Sequence, residues 1–231
     1  DYFGYSVASA GDVNGDGYDD VIIGAYEYDS SDDEGRAYIY HGSSSGIGSS
    51  AARTLTGAGT DYFFGRSVAS AGDVNGDGYA DVIIGAEKYS SYTGRAYVYH
   101  GGSSGISASA SSMLTGEATG DRFGYSVASA GDVNGDGYDD VIVGAYGVAS
   151  YTGKAYVWHG SSTGLTDGSD ASDADWEIAG EGTSDAFGLS VASAGDVNGD
   201  GYDDVIVGAY PDAGNTGKTY IYSYGLTAAL S

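Results

Sequence analysis

The sequence predicts an all-β repeat architecture, and three observations carry that prediction. An acidic stretch, "GDVNGDGYDD" at 11–20, returns as "GDVNGDGYAD" at 72–81 and as "GDVNGDGYDD" at 131–140 and 195–204. Its leading aspartates, Asp12, Asp73, Asp132 and Asp196, lie 61, 59 and 64 residues apart, a period near sixty that runs through the chain. The third observation is composition: 42 Gly, 23 Tyr and a single Pro in 231 residues, with no sustained 3.6-residue apolar periodicity. Short strands joined by tight turns fit that pattern, and helices do not.

Each unit opens on a Phe-Gly pair: Phe3-Gly4, Phe64-Gly65, Phe123-Gly124 and Phe187-Gly188. A strand of small alternating residues follows, "YSVASAG" in the first unit and "LSVASAG" in the last. After the acidic loop comes "DVIIGAY", "DVIIGAE", "DVIVGAY" or "DVIVGAY". Three β-branched residues followed by Gly-Ala suit a strand buried on both faces, as when sheets stack. A third strand alternates visibly ("GRAYIYHG", "GRAYVYHG", "GKAYVWHG", "GKTYIYSYG"), and a weaker fourth reads "RTLTG" at 53–57, "SMLTG" at 112–116 and "WEIAG" at 176–180.

Antiparallel four-stranded sheets buried on both faces define β-propeller blades, because radial stacking covers both faces and leaves only short edges. The expected organisation is one β-propeller domain over 1–231, with repeats near 1–57, 58–116, 117–180 and 181–231. Closure is open from sequence: "YGLTAALS" at 224–231 gives the last unit no clear fourth strand. A single four-bladed ring is slightly preferred over two chains forming an eight-bladed ring, an open array, or a piece of a longer protein.

Charge narrows the partners. With 33 Asp+Glu against 8 Lys+Arg the net charge is −25, so nucleic acid and anionic membrane surfaces are poor partners. No apolar run is long enough to span a bilayer, and no membrane insertion is expected. The chain begins at Asp1 and not at Met, which suggests a processed or excised segment. There is no cysteine, which excludes disulfides and a thiolate nucleophile.

In the acidic loop, oxygen-bearing side chains fall at positions 1, 3, 5 and 9, with Gly at 6. In the first unit these are Asp12, Asn14, Asp16 and Asp20, with Gly17. Ca²⁺ takes six to eight hard oxygen ligands, and a tight loop turns alternate residues inward. The Tyr18 backbone carbonyl is the expected donor at position 7. A solvated hairpin turn accounts for Asn-Gly and Asp-Gly but not for three converging carboxylates, so calcium is the stronger reading. Position 8 varies (Asp19, Ala80, Asp139, Asp203) while the others do not, as expected of a non-ligand. An EF-hand is excluded, as is a dockerin-like loop, because position 12 is Ile23, Ile84, Val143 or Val207 and not Glu.

Phe-Gly, the acidic loop and Gly-Ala-(Tyr/Glu), with "GAYP" at 208–211, resemble the FG-GAP repeat of integrin α-subunit β-propellers over essentially the whole chain. The resemblance implies calcium held in the hairpin loop between the first two strands of each repeat, about four ions in all. The implied ligands are Asp12, Asn14, Asp16, Tyr18 and Asp20, then Asp73, Asn75, Asp77, Tyr79 and Asp81. The third set is Asp132, Asn134, Asp136, Tyr138 and Asp140, and the fourth Asp196, Asn198, Asp200, Tyr202 and Asp204. Integrin propellers have seven blades and this chain has four repeats, which weakens transfer of integrin ligand recognition.

His41, His100 and His159 share one repeat position on separate blades, so strand-end roles are expected and a shared zinc or catalytic site is not. The tyrosines are expected to pack between blades and not to form a carbohydrate platform. No catalytic motif stands out, and no enzyme activity is expected. The preferred function is a calcium-binding, secreted or cell-surface scaffold for adhesion or recognition of a protein or glycan. Its partner surface is placed on the variable loops 27–35, 87–94, 146–153 and 210–217. The alternative is a structural repeat that self-associates through open blade edges into a fibre or larger ring.

Overall fold

The computed structural model describes residues 1–28, 34–57, 62–165, 170–210 and 216–223. They form four antiparallel meanders. The first contains β1 (Ser6–Gly11), β2 (Asp20–Ala25), β3 (Arg36–Tyr40) and β4 (Arg53–Thr56). The second contains β5 (Ser67–Gly72), β6 (Asp81–Ala86), β7 (Arg95–Tyr99) and β8 (Ser112–Thr115). The third contains β9 (Ser126–Gly131), β10 (Asp140–Ala145), β11 (Lys154–Trp158) and β12 (Trp176–Ala179). The fourth has three strands among the described residues: β13 (Phe187–Gly195), β14 (Asp204–Ala209) and β15 (Lys218–Tyr222). The expected fourth strand of that blade falls on 224–231, outside the described residues.

Strand alternation sends the apolar residues between neighbouring blades into three cores. From blade one, Ile22 and Ile39 meet Val68, Val82 and Ile84 of blade two. Ile83 and Val98 of blade two meet Val127, Val141 and Val143 of blade three. Ile142 and Val157 of blade three meet Val191, Val205 and Val207 of blade four. The central strands β6 and β10 are therefore buried at every position, as their sequence demands, whereas β2 and β14 alternate with half-buried residues. Each such buried side chain stabilises the stack by roughly 1.5–3 kcal/mol relative to exposure.

Gly24, Gly85 and Gly144 allow this close stacking. A Cβ at any of them would fall 1.9 Å from a carbonyl oxygen of the next blade, that of Gly65, Gly124 or Gly188. The opening phenylalanines fill the same joints: Phe64, Phe123 and Phe187 are fully buried.

The first strands lie side by side, β1 on β5, β5 on β9 and β9 on β13. Among the described residues β13 does not pack back on β1, and the sheets are not closed, contrary to the preferred four-bladed ring. The physical sign is exposure at the two ends: Val7 of blade one is 65% and Val197 of blade four 52% exposed, while their counterparts Val68 and Val133 are at 5% and 0%. A second departure is local. Tyr89–Tyr92 and Val148–Tyr151, designated α1 and α2, are single helical turns where no helix was expected. Ser90, Ser91, Ala149 and Ser150 lie there in the left-handed region, at φ 48°, 58°, 49° and 59°.

Candidate functional site

Each acidic loop is launched by a β-bulge. Ser9 pairs with Val21 and Gly11 with Asp20, leaving Ala10 as the extra residue, and the other three blades shift register at the same place. A bulge bends the strand end, and the chain then folds back on its own backbone donors. The first carboxylate organises the turn. Asp12 Oδ1 accepts the N–H groups of Gly15 (2.8 Å) and Asp16 (3.1 Å), and Oδ2 accepts that of Gly17 (2.8 Å). Asn14 Oδ1 accepts the Asp16 N–H at 2.9 Å, and Asp16 Oδ1 accepts the Tyr18 N–H at 3.0 Å. Gly17, at φ 89°, supplies the left-handed turn that this wrapping requires.

The second, third and fourth loops repeat the scheme. Gly78, Gly137 and Gly201 donate to Asp73, Asp132 and Asp196 at 2.8, 2.9 and 2.9 Å. Tyr79, Tyr138 and Tyr202 donate to Asp77, Asp136 and Asp200, each at 3.0 Å. The side chains of Asn75, Asn134 and Asn198 donate to the same three aspartates. The first, third and fifth positions thus converge on one solvent-facing turn in every copy.

The ninth position behaves differently. Asp20, Asp81, Asp140 and Asp204 are buried at the start of the second strand. Asp20 accepts Val13 N–H at 3.0 Å and Gly42 N–H at 2.8 Å, tying the loop to the end of β3. Asp81 accepts from Val74 and Gly101, and Asp140 from Val133 and Gly160. Asp204 accepts from Val197. Burial pushes Asp81 and Asp140 up to about 7, against the pull of those N–H donors, and nearby loop aspartates add to the rise. Burial raises Asp20 as well.

The donors on these loops are hard oxygens, the set suited to a divalent cation such as calcium. Each carboxylate keeps lone pairs beyond those that its backbone donors use. Among the described residues, no three carboxylate or imidazole groups are gathered into a ready cage. A bound ion would draw on the Asn oxygens and the position-seven carbonyls in addition to the carboxylates.

Position eight has a separate task. The Asp139 carboxylate accepts Asp73 N–H at 2.7 Å, and the Asp203 carboxylate accepts Asp132 N–H at 3.1 Å, both across a blade boundary. Ala80 keeps only the main-chain half of this clasp, donating its N–H to the Asp12 carbonyl at 3.1 Å. His41 lies against Gly105 and His100 against Gly164, so these imidazoles serve separate joints.

The meander places the acidic loops at one edge of the blades and the β2–β3, β6–β7, β10–β11 and β14–β15 connections at the opposite edge. There, sequence reading missed a cluster. Glu87 is buried where the other repeats carry Tyr26, Tyr146 and Tyr210. Its carboxylate meets Arg66 at 2.9 Å and Arg122 at 3.6 Å. Tyr125 lies 3.4 Å from Arg66 Nη2, and Tyr5 and Tyr26 face its guanidinium. Arg122 lies over the Tyr92 and Tyr146 rings. The available signal was the odd "GAE" among three "GAY". The tyrosines here pack partly across blades and partly around cations.

Blades stacked through their first strands, each pinned by an acidic hairpin between its first two strands, define a β-propeller of the repeat type. The chain belongs to the FG-GAP repeat family, whose pattern matches residues 3–40, 64–99, 123–158 and 187–222. Similar proteins are integrin α subunits. Integrin alpha-4 of Xenopus laevis is 36% identical over 151 residues, covering 63% of this chain and 14% of the integrin. Integrin alpha-6 of Gallus gallus is 41% identical over 150 residues, 62% of this chain and 13% of the integrin. Integrin alpha pat-2 of Caenorhabditis briggsae is 34% identical over 227 residues, 91% of this chain and 18% of the integrin. The chain thus spans less than a fifth of the length of these relatives. No described helix is long and apolar enough to cross a membrane.

Proposed function

We propose that residues 1–231 act as one β-propeller unit, a calcium-binding, non-enzymatic, extracellular scaffold for adhesion or for recognition of a protein or glycan. The observation that carries the calcium reading is the fourfold recurrence of one turn, in which Asp, Asn and Asp oxygens are held by the loop's own N–H groups. Asp12, Asn14, Asp16 and Asp20, with the Tyr18 carbonyl, are the proposed ligands of the first ion, and the equivalent residues hold the others. Affinity in the range of roughly 10⁻⁴–10⁻³ M suits extracellular modules and supports a secreted or cell-surface location. Calcium titration by calorimetry on chelator-treated protein tests the reading, and absence of saturable binding in that range overturns it.

Recognition is assigned to the edge opposite the calcium loops, where Arg66, Glu87 and Arg122 sit among tyrosines. Tyr and Arg are the residues that most often anchor interfaces. An array of immobilised glycans and matrix proteins, probed with wild type and with Arg122→Ala, tests this assignment. Binding that ignores the substitution counts against it. The alternative reading, a structural repeat that self-assembles through open blades, is favoured by one observation, the uncovered apolar face at each end of the stack.

A further inference from the structure

The three joints between blades are built to one plan, and the two end faces carry the separate halves of a fourth. In each joint a serine hydroxyl of one first strand accepts a valine N–H of the next: Val68 to Ser6 at 3.1 Å, Val127 to Ser67 at 3.2 Å, Val191 to Ser126 at 3.1 Å. The position-seven tyrosine of the following blade lies over a loop glycine of the preceding one, Tyr79 on Gly15, Tyr138 on Gly76 and Tyr202 on Gly135. A valine just after the bulge is sealed beneath, Val13, Val74 and Val133 all being fully buried.

Blade four presents the preceding half of this plan with nothing on it among the described residues. Val197 is 52% exposed, and a Cβ at Gly199 would meet no atom within 4 Å. At Gly208, the counterpart of Gly24, Gly85 and Gly144, a Cβ would meet only Ser190 of its own blade, at 3.6 Å. Blade one presents the following half: Val7 at 65%, Phe3 at 50% and Tyr18 at 43% exposure. An apolar depression lined by Val7, Val21 and Ile23 lies on this face, and one lined by Ala192, Ile206 and Gly208 lies on the other.

We propose that the face of blade four is the docking site for blade one of a second copy of this chain, in a head-to-tail interface that reproduces the internal joints. In it Val7 N–H donates to Ser190 Oγ, Tyr18 lies on Gly199, and Asp19 takes the Asp196 N–H as Asp139 and Asp203 take theirs. The contact is heterologous, so it either closes or propagates. Two copies of four blades close as a ring of eight, at the upper end of propellers with about 4–8 blades, and a ring leaves neither face open. The inference deepens the self-assembly reading above and does not depend on calcium binding.

Two substitutions separate the faces without entering an internal joint. Gly208→Val places a side chain in open space in one copy and against the docking backbone in the assembly. Val7→Lys changes a side chain that is mostly solvated in one copy. Sedimentation velocity on the 231-residue chain in calcium is expected to show a dimer for the wild type. Each variant alone is expected to be monomeric, with unchanged circular dichroism. Mixing the two variants pairs an intact blade-one face with an intact blade-four face and is expected to restore a dimer with a single joint. A wild type that stays monomeric at its highest soluble concentration overturns self-assembly. An assembly that both variants leave intact overturns this interface while leaving self-assembly standing.

Discussion

The Asp139 carboxylate accepts the Asp73 N–H at 2.7 Å, and the Asp139 N–H returns to the Asp73 carbonyl at 3.2 Å. Two residues from different blades are thereby clasped in both directions. The clasp joins position eight of one acidic loop to position one of its neighbour, so adjacent acidic turns are mechanically linked. Asp139→Ala is expected to cost roughly 1.5–3 kcal/mol in urea unfolding, the usual worth of a hydrogen bond to a charged group. Asp19→Ala, at the end face, is expected to leave monomer stability within about 0.5 kcal/mol. Equal effects at the two positions would show that the clasp adds nothing.

The opening phenylalanines make a sharper contrast. Phe123 is fully buried against Tyr156 and Trp158, with ring centroids 5.7 Å away in both cases. Phe123→Ala is expected to cost roughly 3–5 kcal/mol. Phe3, half exposed, is expected to cost less than about 1 kcal/mol when truncated in the monomer. Differential scanning calorimetry of the two variants checks the ranking.

Glu87 sits buried between two arginines that are themselves only partly exposed. Burial raises its pKa, and Arg66 and Arg122 oppose the rise. Removing the carboxylate leaves two guanidinium groups facing each other. Glu87→Ala is therefore expected to destabilise by roughly 3 kcal/mol, read from the denaturation midpoint. A stability equal to wild type would mean that the cluster carries no net pairing energy.

A pH effect follows from Asp81 and Asp140 in the metal-free protein. Their folded-state pKa of about 7 lies above the ordinary 3.8, so the native state holds protons that the unfolded state has released. Stability from this source is fully present below about pH 4 and lost as pH rises towards 7. Chelated protein should therefore gain stability between pH 7.5 and 5, on the order of a few kcal/mol, and Asp81→Asn with Asp140→Asn should flatten the change. Calcium favours the charged carboxylates and should reverse the slope. Urea midpoints at the two pH values, with EDTA and with calcium, decide the sign.

Much of this was legible in the sequence. The strand order, the hairpin position of the acidic loops and the doubly buried "DVIIGA" and "DVIVGA" strands follow from alternation and from the sixty-residue period. Ala80 marks position eight as an expected non-ligand, yet nothing in the sequence signals its contact with a neighbouring blade. That contact joins Asp73 to Asp139, 66 residues apart, and periodicity carries no information on such a distance. Glu87 was hidden for the same reason, because its arginines come from the openings of two different repeats. The unclosed ring turns on how far each blade rotates against the next, which no local pattern encodes. The left-handed turns at Ser90 and Ala149 contradict local preference outright, since neither residue favours positive φ.

Calcium in the four acidic loops is proposed to hold the blades together. The most direct measurement is the thermal melt of chelator-treated protein against added calcium, with the stoichiometry taken by calorimetry on the same sample. About four ions per chain are expected, with a melting temperature that climbs steeply with calcium, because binding to the folded loops is folding energy. A melt that is unchanged between EDTA and millimolar calcium, with no heat of binding, would contradict it.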